Sequence, residues 1–448
     1  MPAQPIAMGH REGWMPNTVR YFPIVFFEAF LTFTVVVFAF GPWDWPVTNP
    51  VTLYSFLLIN QLALLFGYVG AVRGRRPSAF NLILTPKELV WPCAVTTILM
   101  IVPTAMVRTG GEINFLRALT NPGQAYDFTN NAAHNAAPTI WEYVRIVLSP
   151  LIWPLLPLAA VFWNKLSPTL KVLAVLGIVG NAAIYFLQGT NKGIVDLLIL
   201  MPWLLILRHK NLAQILQPKR VLRFLLMFTI AGALFLPYLG LNIVGRGSTG
   251  TIGAVGIRGA GSVQPEPIQI PGFNGPLANA YNDGATALAS YVGQGYYGLS
   301  LALQEPFEWT YGVGHSPFFS WLAEKAMGMR LHEIDYSTYP WRVDRDFGWK
   351  ADVQWISFYP WFASDVTFFG VPFIVFLFGR LLGLTWLDAI GGNPAAVVVF
   401  SLTALTLYYT SANAQVFRLA ETVCPFYFYL LWWMQSAKND GPKREYVR

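Results

Sequence analysis

Apolar residues run along this chain in long, nearly uninterrupted stretches, unlike the alternation of a half-buried strand or the single stripe of a soluble helix. Stretches at about 21–40, 51–72, 89–107, 141–163, 169–187, 193–207, 222–244, 357–379, 395–413 and 419–435 predict helices. Crossing a bilayer core takes roughly 20 mainly apolar residues, so most of these stretches have spanning length. The sixth is short for a crossing and holds Asp196 and Pro202, which predicts a tilted, broken or partly inserted helix.

One region breaks the pattern. From about 245 to 356 the chain is rich in Gly, Pro, Tyr and Trp and carries Arg246, Arg258, His315, Arg330, Arg342, Asp344, Arg345, Asp346 and Lys350. Its first part, Gly245–Gly261, reads as a flexible, solvent-facing start. Ala285–Leu303 and Pro317–Met327 have the apolar spacing of short amphipathic helices lying along the interface. The expected architecture is therefore an all-α polytopic integral membrane protein of about ten transmembrane helices with one large outward loop. Residues 1–244 would form an N-terminal bundle, 245–356 the loop, and 357–448 the C-terminal helices and tail.

Composition supports this reading and removes others. Of 448 residues 54% are hydrophobic and 12% charged, with a mean hydropathy of +0.44. Ordinary soluble domains are about 25% charged. The net charge of +7 is scattered through short links between apolar stretches, so it points away from nucleic acid and toward membrane topology. Cys93 and Cys424 both fall in predicted helices and support neither a disulfide framework nor a cysteine metal site. The run 21–40 is too long for the apolar region of a signal peptide and follows some 20 polar residues, so it reads as a retained first helix.

Basic residues fix the expected orientation, because cytoplasmic links carry the Lys/Arg excess. Arg11 and Arg20, Arg73 to Lys87, Lys165 and Lys171, Arg208 to Arg223, and Lys438 to Arg448 fall on one side when about ten helices are threaded. Both termini are then cytoplasmic. The 245–356 loop lies on the opposite face, as does a second sizeable segment, Arg108–Ile140.

Several charges sit where a bilayer makes them costly. Lys192 stands in Gly189-Thr190-Asn191-Lys192-Gly193, Arg246 just beyond the seventh stretch, and Arg418 with Glu421 at the edge of the tenth. Charges at such depths usually face a cavity or a functional path, and converging cations would suit a diphosphate. The alternative is snorkelling to the interface or local pairing, Arg418 with Glu421 one helical turn later. His315, between Gly314 and Ser316-Pro317, sits at a turn and could accept a proton, or be an ordinary surface histidine. Asp365, in Trp361-Phe362-Ala363-Ser364-Asp365, could act as a base or orient a cation, or simply cap a helix. Asp344 and Asp346 among Arg342 and Arg345 read as a solvated ion-pair cluster. The aromatic density of the loop fits an interfacial belt, and sugar rings also stack on such faces.

In layout and in particular residues the chain resembles the Wzy-type O-antigen and exopolysaccharide polymerases. The resemblance rests on the dominant late loop, Gly-Thr-Asn-Lys-Gly at 189–193, Tyr291-Val292-Gly293-Gln294-Gly295-Tyr296-Tyr297-Gly298-Leu299, and Asp365 with Gly370. It implies metal-independent, cofactor-free glycosyl transfer at the periplasmic face of a bacterial inner membrane. The donor would be a polyprenyl-diphosphate-linked oligosaccharide, and a chain-length regulator is a conceivable partner. Arg246, Lys192, Arg418 and Arg258 would bind the diphosphate, with His315 or Asp365 as the base. Related O-antigen ligases carry a His followed by Asn, Ser or Gln and a later Gly; His315-Ser316 matches the start, but Gly328 falls off the spacing, which argues against a straightforward ligase. A lipid-linked-oligosaccharide flippase is the rival class, although no repeat symmetry of the kind transporters carry is visible.

Overall fold

The computed structural model describes residues 16–75, 77–78, 84–135, 139–209, 218–244, 255–257, 261–263, 274–330, 332–351 and 353–438. Within these the chain is helical apart from one antiparallel ladder, β1 (Val255–Ile257) against β2 (Gly261–Val263). That ladder lies where the glycine pattern predicted flexible chain and just beyond.

The first half folds as α1 (Asn17–Phe40), α2 (Pro50–Val72), α3 (Pro86–Arg108), the short α4 (Phe115–Thr120) and α5 (Pro122–Asn135), then α6 (Ile140–Ile152), α7 (Leu155–Phe162), α8 (Pro168–Leu187), α9 (Lys192–His209) and α10 (Pro218–Val244). After the β-ladder come α11 (Pro276–Ala302), α12 (Pro317–Met327), α13 (Glu333–Ser337) and α14 (Tyr339–Phe347). The chain ends with α15 (Phe358–Gly391), α16 (Pro394–Tyr409), α17 (Gln415–Arg418) and α18 (Ala420–Lys438). Proline opens α2, α3, α8, α11, α12 and α16, where its missing N–H costs nothing and its fixed φ suits a first turn. Ahead of α3, Thr85 and Glu88 complete a capping box.

All ten expected stretches are helical, and six helical segments among the described residues are long and apolar enough to cross a membrane. These are α1, α2, α3, the run from α6 to Lys165, α8 and α15. Helices α9, α10, α16 and α18 stand at the other four expected positions. α16 shows why length matters. Its 16 residues span about 24 Å, short of a roughly 30 Å hydrocarbon core, and it is buried at nearly every position. A helix apolar all round is here the pillar of the bundle and not a lipid-facing span.

Close helix packing rests on small residues. Gly67 of α2 lies against the Phe376 backbone of α15, and Gly379 and Gly383 of α15 return the contact to Leu64, Tyr68 and Val72. A Cβ at Gly67 or Gly379 would collide with a backbone carbonyl, so both positions require glycine. α10 and α11 meet in the same way, Gly240 on Ala280 and Gly284 on Leu236.

The long loop differs from its expectation in two respects. α11 is one 27-residue helix whose second half is buried, where a short interfacial helix was predicted. The motif Gly293–Leu299 lies inside that half: Tyr296 bonds Thr34 at 2.9 Å, Tyr297 stacks on Trp45, and Gly295 fits against the backbone of Ser411 and Ala412. Arg342 is not solvated either. It is buried beneath Tyr339, pairs with Glu308 at 3.0 Å and donates to the Pro306 carbonyl, while Arg345–Asp346 and Lys350–Asp344 form the exposed pairs expected there.

Candidate functional site

α15 is interrupted nine residues after Phe358. Thr367 has φ 64° and ψ 164°, a region open essentially to glycine, so a β-branched residue there is strained. The segment before the break, Phe358–Val366, is tied to the bundle at its start: Ser357 N donates to Gly295 O at 3.0 Å and Phe358 N to Thr410 O at 3.0 Å. It presents Asp365 next to the break. Asp365 is therefore neither the N-cap, which is Ser357, nor a first-turn residue.

The loop Trp309–Ser316 wraps around this carboxylate. Asp365 Oδ1 accepts from Thr310 Oγ1 at 2.6 Å and Gly314 N at 2.8 Å; Oδ2 accepts from His315 N at 3.0 Å and from His315 Nδ1 at 2.8 Å. Gly314 is packed against Thr310, leaving no room for a side chain. Ser316 Oγ donates to Phe417 O at 2.7 Å and pins the far end of the loop to α17.

These bonds decide the chemistry of the pair. A carboxylate has about four lone-pair directions, and Asp365, at 7% side-chain exposure, meets four donors, the Thr310 hydroxyl being shared with Ser364 O at 2.8 Å. Because Oδ2 holds Nδ1–H, the neutral ring is fixed with its lone pair at Nε2. Nε2 accepts a long contact from the Tyr427 hydroxyl of α18, 3.3 Å, between the rings of Phe319, Phe362 and Phe417. A substrate hydroxyl can take the place of a weak partner at that distance. Of the two predicted base candidates, His315 keeps an available acceptor and Asp365 serves to position it.

A second polar centre is built from α3, α6, α8, α9, α16 and α18. Glu421 receives Arg108 and, at 3.0 Å, Arg145, whose other amino group reaches Thr104 at 3.0 Å. Lys192 bonds Asp196, which also accepts from Tyr409 at 2.7 Å. Lys192, Asp196, Tyr185, Asn181 and Glu421 line a cavity of about 90 Å³ together with apolar residues such as Trp153, Leu156 and Leu197. Tyr185 lies within electrostatic reach of Lys192, Arg108 and Arg145. The sequence singled out Lys192 but not its partner, and Glu421 takes Arg108 and Arg145 where Arg418 was the expected candidate.

Arg418 stands instead over the Trp361 ring at 5.3 Å, one helical turn from Asp365 and next to Phe417. Arg246 and Arg258 lie outside the described residues. The segment from Val416 to Tyr427 joins the two centres, since Phe417 and Tyr427 touch His315 while Leu419, Glu421 and Thr422 line the cavity. Arg145 was missed although an arginine in the apolar run 141–163 is itself a signal. Tyr427 had none, standing among many aromatics in its helix. Among the described residues no three His, Cys, Asp or Glu side chains converge as a metal site. Comparison of the chain with protein-family models, with curated proteins and with solved structures finds no match.

Proposed function

We propose that this protein polymerises polyprenyl-diphosphate-linked oligosaccharide repeat units by glycosyl transfer, with His315 as general base. The observation that carries the reading is the saturated Asp365 carboxylate, which holds Nδ1 and leaves Nε2 of His315 as the acceptor. The hydroxyl of one repeat unit gives its proton to Nε2 as its oxygen bonds to the anomeric carbon of another. The bond from that carbon to the diphosphate breaks, and the polyprenyl diphosphate leaves with the electron pair. No metal is assigned a step.

Cations would stabilise the departing diphosphate, an electrostatic role usually worth most in such transfers. Lys192 and its cavity of mixed polar and apolar lining suit a phosphate joined to a hydrocarbon chain, and Arg418 directly follows Phe417, whose ring touches His315. Arg246 and Arg258 belong to the same proposal on sequence grounds. In this reading the chain crosses a bacterial inner membrane about ten times, its termini are cytoplasmic, and the loop that bears His315 is periplasmic. A chain-length regulator is then a natural partner.

A lipid-linked-oligosaccharide flippase is a second reading, favoured by the charge cluster inside the bundle, since intramembrane ionisable groups often line transport paths. One experiment separates the two. Cells lacking the gene are complemented with wild type or His315→Ala at matched protein levels, and polymer length and the sidedness of lipid-linked units are measured. The polymerase reading expects single units on the outer face and no long chains with His315→Ala. Units held on the cytoplasmic face would establish the flippase instead.

A further inference from the structure

The loop that wraps Asp365 does more than hold His315. Thr310 is fully buried on the carboxylate, and the residues on either side of it project outward: Trp309 is 60% and Tyr311 56% exposed, with ring centroids 5.2 Å apart and planes at 46°. Phe307, also exposed, precedes them. Tyr311 has φ 58°, a left-handed conformation that costs a bulky residue energy. The strain persists because Thr310 and Gly314 are both bonded to Asp365. Two large exposed rings thus flank a residue bonded to the carboxylate that holds the candidate base.

We infer that Trp309 and Tyr311 form a stacking subsite for a sugar ring of the glycan, set beside His315 by the same loop. This rests on the glycosyl-transfer reading. Aromatic faces take the apolar C–H face of a pyranose, and the sugar's equatorial hydroxyls need acceptors at the rim. Glu308 supplies one, next to Phe307 and Trp309 in sequence, with its carboxylate ion-paired to Arg342 at 3.0 Å and still about half exposed. A bilayer is the other surface that attracts exposed aromatics. A half-exposed carboxylate next to Trp309 in sequence disfavours insertion, and a lipid anchor has no need of a strained backbone.

The test reads binding, not turnover. Wild-type protein in nanodiscs is titrated with a panel of neutral and N-acetylated hexasaccharides, followed by saturation-transfer NMR. His315→Ala, the double variant Trp309→Ala/Tyr311→Ala and the conservative Tyr311→Phe are run alongside. At least one oligosaccharide should bind wild type, His315→Ala and Tyr311→Phe alike, and bind the double variant about ten-fold more weakly. Equal binding by the double variant, or no binding of any panel member to wild type, overturns the subsite. So does quenching by brominated lipid of the tryptophan emission that Trp309→Phe removes, because the rings would then lie in the bilayer. Loss of polymer formation in His315→Ala with its binding retained is the result expected if both proposals hold. Polymer formation retained in His315→Ala would overturn the base assignment and leave the subsite standing.

Discussion

The two polar centres use buried charge in opposite ways. Around Asp365 one carboxylate collects four donors, two of them backbone amides, and the result is a single ring nitrogen with a weak partner. Around the cavity every described charge meets an opposite one: Glu421 meets Arg108 and Arg145, and Asp196 meets Lys192. The first arrangement concentrates reactivity at one atom. The second cancels charge and leaves a cavity with polar walls.

Removing the atom on which reactivity is concentrated should give the largest effect. His315→Ala is expected to lower the rate of polymer formation about 10²- to 10⁴-fold in proteoliposomes, the usual contribution of a positioned base. Asp365→Asn should fall comparably, because an amide no longer fixes the Nδ1–H tautomer, while the melting temperature stays within a few degrees. If Asp365→Asn keeps full rate, the division of roles between the two residues is wrong.

At the second centre the expected effect is on stability. Glu421→Gln leaves Arg108 and Arg145 without their counter-ion, which should cost about 3 kcal/mol or more in thermal unfolding. Inorganic pyrophosphate should then stabilise the variant more than wild type, since two arginines become free to take an anion. An unchanged response to pyrophosphate would separate this cluster from diphosphate binding and turn attention to Arg418.

Gly379→Ala tests the frame that carries both centres. A methyl group would meet the Leu64 carbonyl of α2, so a loss of about 1–3 kcal/mol in thermal unfolding is expected. Half-buried Gly370 faces only the Val366 side chain and no backbone carbonyl, so alanine there should cost less.

What the sequence could disclose follows from these same physical terms. Uninterrupted apolar runs locate the helices because the bilayer demands length, so every expected stretch is helical. The runs do not say whether a helix faces lipid or protein, and α16 reads like a span while being the buried pillar. His315 and Asp365 could each be singled out by local context, a turn and a charged residue near a helix end. That they meet across 50 residues depends on the break at Thr367 and the tie from Thr310, neither of which has a local signature. Arg342 shows the reverse error, since a run of alternating charges looks solvated until a carbonyl and Tyr339 close over it.

Relieving the break should give a smaller, opposite effect. Thr367→Gly removes the strain at φ 64°, and the extra backbone freedom of glycine offsets part of the gain, leaving roughly 1 kcal/mol of added stability. If the strain serves to hold Asp365 in register, the same variant gains melting temperature and loses polymer-forming rate. A gain in both would show the break to be incidental to the site.

The smallest effect is expected at α13, in the segment that the proposed topology puts outside the membrane. Burial holds the Asp335 carboxyl above its ordinary range, the neighbouring Glu324 adds to the shift, and the hydrogen bond from His332 opposes it. A carboxyl with a raised folded value carries no penalty at low pH. The penalty appears as pH climbs out of the usual carboxylate range and is complete above the raised value. Asp335→Asn mimics the protonated group, so it should melt slightly higher than wild type at pH 7, with the gap closing as pH is lowered toward 4. A gap that widens on acidification would mean that the charged form is the one this loop requires, and that His332 outweighs burial there.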